Sequence, residues 1–252
     1  MFRTRVIPCL LLKDGGLVKG VEYKNHQYVS DPINAIKIFN EKEVDELIVL
    51  DILASKNGVE PNFKLIEEFS SECFMPLCYG GGIKTIEQVE TLFSIGVEKV
   101  SIQSAAYCDM DLVRKIADRF GSQSVVVSID VKKDFFRRER LYNPSKKKNI
   151  SRNYMDFIQD CVNAGAGEIV INSVNHEGHM NGMNLELISK VSKSVPIPVI
   201  AGCGVGSLND LKLASDSGAS AVAVGSFFVY HGTHRAVLIT FPESSELERL
   251  LG

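Results

Sequence analysis

Eight times along its 252 residues the chain passes from a short run rich in β-branched residues to a longer stretch with helical periodicity. The strand candidates occupy residues 5–12, 46–52, 75–79, 99–103, 124–131, 168–173, 197–201 and 221–225. The helical patterns occupy 32–41, 62–71, 86–94, 111–120, 152–164, 185–194, 208–217 and 244–250. In the fourth of these, Leu112, Ile116 and Phe120 recur every four residues and form one apolar face. The strand runs are almost continuously apolar, the pattern of strands covered on both faces in a parallel sheet. Strict alternation without an intervening linker predicts an α/β fold, a single (βα)8 barrel over 1–252. An open doubly wound sheet is the competing arrangement.

The chain also repeats. Gly80-Gly81-Gly82-Ile83 aligns with Gly202-Cys203-Gly204-Val205, 122 positions later. The same spacing pairs Glu46 with Glu168, Gly96 with Gly218 and Ser104 with Ser226. It also pairs Thr85 with Ser207, each a cap type directly before a helical pattern. Two half-barrels, roughly 1–121 and 122–252, are the natural reading.

Charge and composition exclude several classes. With 28 Lys and Arg against 31 Asp and Glu, no chain-wide basic field points to nucleic acid. No apolar run reaches membrane-spanning length, and Met1-Phe2-Arg3-Thr4-Arg5 leads into a strand without a signal-type apolar segment. Six cysteines, at 9, 73, 78, 108, 161 and 203, show neither C-x-x-C nor zinc spacing. Most sit in apolar runs, so buried free thiols in a reducing cytoplasm fit best. His26, His179, His231 and His234 have no grouping with acids or cysteines, so neither metal nor cofactor is expected.

In a barrel the loops after the strands build the active face. The two glycine loops follow strands 3 and 7, where backbone N–H groups and a helix N-terminus favour an anion. Strand 4 ends Gln103-Ser104 and strand 8 ends Gly225-Ser226, which puts a hydroxyl beside each loop. Tight turns alone would explain one such loop; duplication across one mouth favours a ligand with a phosphate at each end. Asp51 and Asp130 close strands 2 and 5 and point toward that mouth, where desolvation suits a carboxyl for acid–base work. Asp51 could equally cap the turn after its strand. The segment 132–152 carries nine Lys and Arg. It reads as a solvated excursion, a clamp on an anionic substrate, or a docking surface for an acidic partner. His176, after strand 6, is a loop histidine that could shuttle protons.

Several motifs are specific in order and spacing. They are Arg5-Val6-Ile7-Pro8-Cys9-Leu10, Lys13-Asp14-Gly15, Val18-Lys19-Gly20, Leu50-Asp51-Ile52, Gly80-Gly81-Gly82-Ile83, Val126-Val127-Ser128-Ile129-Asp130, Gly165-Ala166-Gly167-Glu168-Ile169 and Gly225-Ser226-Phe227-Phe228. From residue 3 to about 230 the chain resembles the cyclase subunit of imidazole glycerol phosphate synthase. The resemblance implies a barrel of histidine biosynthesis paired with a glutaminase subunit, whose ammonia crosses the barrel to close an imidazole ring on a bisphosphorylated ribosyl substrate. By position, Gly82, Gln103 and Ser104 would take one phosphate; Glu177, Gly178, Gly204, Gly225 and Ser226 would take the other. Lys19, Asp51 and Asn172 would face the substrate, and Asp130 would be one of two catalytic carboxylates.

The second carboxylate is absent: Leu11 stands where the family has its acid–base aspartate. Gln103, Ser104, Glu177, Leu53 and Gly202-Cys203 also depart from the family's usual residues. The family's ring of alternating charges at the far end of the barrel is complete in Arg5, Glu46, Lys99 and Glu168. On sequence alone that ring is an ion-pair girdle; the resemblance makes it an ammonia gate, with Glu98 beside it where the glutaminase would dock. Two activities are therefore implied. One is cyclase chemistry resting on Asp130; the other is an accessory ammonia-conducting barrel serving a sugar amidotransferase that makes amidino sugars of surface polysaccharide. The related single-subunit isomerase shares the phosphate loops but needs carboxylates on strands 1 and 5 and no gate.

Overall fold

The computed structural model describes residues 3–252; Met1 and Phe2, which open the N-terminal segment read above, lie outside them. Eight parallel strands close on themselves: β1 (Arg5–Lys13), β2 (Leu47–Asp51), β3 (Leu77–Gly80), β4 (Lys99–Ile102), β5 (Val125–Lys133), β6 (Glu168–Ser173), β7 (Val199–Gly202) and β8 (Ala221–Val224). Each pairs with the next, and β8 returns to β1 with Arg5 opposite Ala221, so no barrel edge is left open. Eight outer helices follow in turn: α1 (Pro32–Glu41), α2 (Phe63–Ser70), α3 (Ile86–Ser94), α4 (Asp111–Phe120), α5 (Tyr154–Asn163), α6 (Leu185–Ser192), α7 (Leu208–Asp216) and α8 (Ser244–Leu251). The arrangement is a (βα)8 barrel, and it rules out the open sheet.

Two strands begin later than their apolar runs. Pro76 and Pro198 lack an N–H for the ladder, and only their carbonyls are used, by Leu47 and Ile169. Helix α5 starts at Tyr154 instead of Arg152, because the Asn153 side chain accepts the Met155 N–H and caps it. Alternate residues divide the apolar content in two. One set packs the strands against the helices, from Val6 and Leu10 through Phe39, Phe69, Ile116 and Phe157. The other fills the barrel with Ile7, Ile48, Cys78, Val126, Val170, Ile200, Ala221 and Ala223. All six cysteines are free; Cys108 is exposed and Cys73 half-buried, so burial does not hold for every thiol.

Two hairpins rise above the mouth. One joins Gly16–Val21 to Lys24–Ser30 between β1 and α1. The other is built from the long end of β5 and Glu139–Asn143, which in turn pairs with Lys148–Asn149. The basic segment 132–152 is therefore a hairpin with turns at 134–138 and 144–147, and Lys133, Arg137, Arg138, Lys146, Lys147, Lys148 and Arg152 stay exposed on it, as the solvated-excursion reading allows. Asp134 ties its turn, accepting the N–H groups of Phe136 and Arg138 at 2.9 Å and the Arg140 Nε at 3.1 Å.

Candidate functional site

The strand ends and the two hairpins enclose two adjoining cavities, of about 510 Å³ and about 90 Å³. Gly82, Gln103, Ser104, Asp51 and Asp130 line the wide one. Lys19, Glu177, Gly178, Gly204, Gly225 and Ser226 line the narrow one. Leu11, Asn172, Leu50 and Tyr23 border both. The residues expected at two phosphate positions thus separate cleanly to opposite ends of one mouth.

At the wide end Gly82 adopts φ +75°, and a Cβ there would meet the Val59 carbonyl at 2.8 Å. Glycine is what lets this turn press against the β2 loop while its N–H donates to Ser55 Oγ at 3.2 Å. Ser104 Oγ lies 3.1 Å from Ser145 Oγ of the second hairpin, and Ser145 and Lys147 both reach the cavity wall. The basic segment therefore lines part of the cavity wall. Asp51 Oδ1 accepts the N–H groups of Leu53 and Ala54, each at 2.9 Å. That oxygen caps the turn into the short helix Ala54–Asn57, the structural alternative open at the sequence level, while the residue also borders the cavity.

Asp130 stands between the ends, fully buried on β5. Its Oδ1 accepts the Tyr23 hydroxyl at 3.0 Å and Asn172 Nδ2 at 2.9 Å. Burial pushes its carboxyl up to about 6, against the pull of hydrogen bonds from Asn172, Tyr23 and Gln103 and with a smaller push from Glu177. That value suits a group that both takes and gives a proton near neutrality. Leu11, facing the same space from β1, supplies only hydrocarbon.

At the narrow end Lys19 Nζ donates to the Cys9 carbonyl at 2.5 Å and is almost wholly buried. Burial pulls its amine below the ordinary lysine range, against the opposing pull of neighbours such as Glu177, and an anion arriving beside it would favour the charged form. Glu177 is raised by burial and accepts the Tyr23 N–H at 3.0 Å. Gly178, at φ +75°, lies so close to the first hairpin that a Cβ would meet the Gly20 carbonyl.

At the opposite end of the barrel, Arg5 reaches Glu46 at 2.5 Å and Glu168 at 2.7 Å. Lys99 reaches the same two carboxylates at 3.0 and 3.3 Å. The four alternate in a closed ring directly beneath the apolar interior. Burial raises Glu46 in spite of Lys99 and Arg5. Glu98 is exposed next to the ring, and Phe74, just ahead of β3, is 85% exposed on the same face. His176 bonds to Ser173 Oγ at 2.8 Å and borders neither cavity, which removes the geometric basis for a proton shuttle. Tyr23, Ser55 and Ser145 were missed from sequence. Their hairpin and loop positions carry no motif, and only the fold brings them to the mouth.

Residues 5–235 match the family model described as histidine biosynthesis protein. A Pseudomonas aeruginosa protein provisionally named imidazole glycerol phosphate synthase subunit hisF2 is 53% identical over 249 residues, covering 98% of this chain and 99% of its own. A Leptospira borgpetersenii protein provisionally named as the HisF subunit is 45% identical, covering 99% of both chains. A Vibrio vulnificus protein provisionally named subunit hisF3 is also 45% identical, covering 100% of this chain and 97% of its own. With a family model spanning the barrel and relatives aligned from end to end, the chain belongs to the histidine biosynthesis protein family, among the cyclase-subunit-like proteins of imidazole glycerol phosphate synthase.

Proposed function

We propose that this barrel receives ammonia from a glutaminase subunit at its charged ring and uses it at the opposite mouth on a bisphosphorylated ribosyl substrate, in chemistry of the cyclase type. The observation that carries the reading is the two-ended mouth with a buried carboxyl at its centre, on the same axis as a closed ring of four charges. A ligand with a phosphate at each end would set one on Gly82, Gln103 and Ser104, and the other on Gly178, Gly204, Gly225 and Ser226 with Lys19. Asn172 would hold Asp130 against its centre, and Asp130 would move the protons.

The barrel interior between ring and mouth is lined by Ile7, Ile48, Cys78, Val126, Val170 and Ile200. Such an apolar interior would admit neutral ammonia far more readily than ammonium, whose desolvation costs several kcal/mol. Opening requires one of the ring's ion pairs to part, and Lys99, the more flexible cation, is the natural moving member. Glu98 and Phe74 would lie under the docked glutaminase. Mixing the protein with high ammonium and the bisphosphate substrate, and following imidazole glycerol phosphate, tests the reading; absence of product refutes it.

Leu11 favours a second reading, an ammonia conduit serving a sugar amidotransferase for surface polysaccharide. A single acid–base group lost typically removes about 10²–10⁴ in rate, whereas a conduit loses nothing. Under this reading Leu11→Asp leaves the cellular role unimproved while substitution of Lys99 damages it. Improvement of the cellular role in Leu11→Asp supports the cyclase instead.

A further inference from the structure

Tyr23 occupies the turn between Gly16–Val21 and Lys24–Ser30, in a hairpin outside the eight barrel strands. Its backbone lies at φ +61°, directly after Glu22 at φ +47°. Two consecutive side-chain-bearing residues in the left-handed region each cost about 1–2 kcal/mol. The loop after β6 holds them there: Glu22 N–H donates to the Glu177 carbonyl at 3.1 Å, and Tyr23 N–H donates to Glu177 Oε2 at 3.0 Å. The result is a phenol inserted from above between the two cavities, its hydroxyl 3.0 Å from Asp130 Oδ1. On the facing strand Leu11 offers Asp130 no polar atom. Glu177 is committed to the turn and to the Lys19 end.

We propose that Tyr23 is the positioning residue of Asp130, doing from the hairpin what no side chain at position 11 can do, and that its ring is the partition between the two ends of the mouth. This deepens the two-ended reading of the site and rests on it. The phenol keeps its proton, because burial and the neighbouring Asp130 both oppose ionisation. It therefore remains a donor, fixing one carboxylate oxygen and leaving the other toward Gln103 and the wide cavity. With Asn172 donating to the same oxygen, the carboxyl has one orientation.

The test is Tyr23→Phe, which keeps the ring and both backbone bonds and removes only the hydroxyl. The first readout is the titration of Asp130 by carboxyl carbon NMR, with the resonance assigned by its disappearance in Asp130→Asn. The other groups facing Asp130 are unchanged: Gln103 and Tyr107 after β4, Tyr142 of the second hairpin, Asn172, Glu177 and Cys203. Losing a donor to the carboxylate moves the midpoint up by about one pH unit. In the ammonium-driven reaction kcat falls about tenfold, KM for the bisphosphate stays within about twofold, and the pH profile moves with the midpoint. A folded Tyr23→Phe with an unmoved midpoint overturns the inference. Should that variant fail to fold, 3-fluorotyrosine at position 23 carries the test: the stronger donor must move the midpoint down, and an unmoved or raised one overturns the inference. The two readings fail separately. A shifted midpoint in a protein that makes no product sinks the cyclase chemistry alone; product formation with unmoved midpoint and pH profile sinks the role of Tyr23 alone.

Discussion

Replacing Asp130 by Asn should make this protein more stable. The hydrogen bonds from Tyr23 and Asn172 end on one oxygen that an asparagine retains, and the Gln103 amide can turn its oxygen to the new Nδ2, so the substitution removes the charge and leaves every donor or acceptor a partner. The folded carboxyl sits at about 6 against an ordinary 3.8. A shift of roughly two pH units corresponds to roughly 3 kcal/mol. The sign follows from proton counting: between about pH 4 and 6 the native protein binds more protons than the unfolded chain, so stability falls as pH rises through that window. Below pH 4 both states carry the neutral acid and the penalty vanishes. Asp130→Asn should therefore match the wild type near pH 4 and exceed it by up to roughly 3 kcal/mol above pH 7. For a chain of this size that is a rise in Tm of about 6–12 °C. The chain has no Trp, so urea or thermal unfolding followed by circular dichroism at pH 4, 6 and 8 is the assay. A variant less stable than wild type at pH 8, or a difference that does not change with pH, would refute the argument that desolvation dominates this group.

Three further outcomes follow from the geometry. Lys99→Met leaves Glu46 and Glu168 to share Arg5, and should cut glutamine-dependent product formation at least tenfold while sparing the ammonium-driven reaction, measured side by side. Phe74→Ala should weaken glutaminase binding about 10- to 100-fold by calorimetry with no change in Tm, as expected for an exposed aromatic anchor. Gly178→Ala drives a Cβ into the Gly20 carbonyl at a left-handed position; it should cost at least about 1–2 kcal/mol in unfolding and loosen the narrow end, seen as weaker phosphate binding there.

The barrel was legible because its strands are buried on both faces. The apolar runs of β5 and β6, and helices such as α4 with Leu112, Val113 and Ile116 inward, leave little choice of period. The site was legible where chemistry needs a particular residue at a strand end: Asp130 and the glycines of the two loops all line the mouth, and Lys19, which only the family resemblance singled out, lines it from the first hairpin. Asp51 was ambiguous for a physical reason, since a carboxylate at a strand end can serve a ligand or the next turn, and here one oxygen caps the turn while the residue borders the cavity. The hairpins were illegible because their turns break the usual code. Glu22, Tyr23, Arg137 and Lys147 take positive φ where Asn or Gly would normally mark a turn; contacts from Glu177 hold the first two, and the N–H groups of Arg137 and Lys147 donate to the Asp134 and Pro144 carbonyls. Tyr23, the polar neighbour of the central carboxyl, was hidden for that reason.

The central claim is a mouth that grips one ligand at both ends, and calorimetry of the bisphosphate substrate against each of its single-phosphate halves tests it most directly. The account predicts that the intact bisphosphate binds at least about 100-fold more tightly than either half, and that Gly82→Ala and Gly178→Ala each reduce it to the affinity of one half. Equal affinity for the bisphosphate and one of its halves would contradict it.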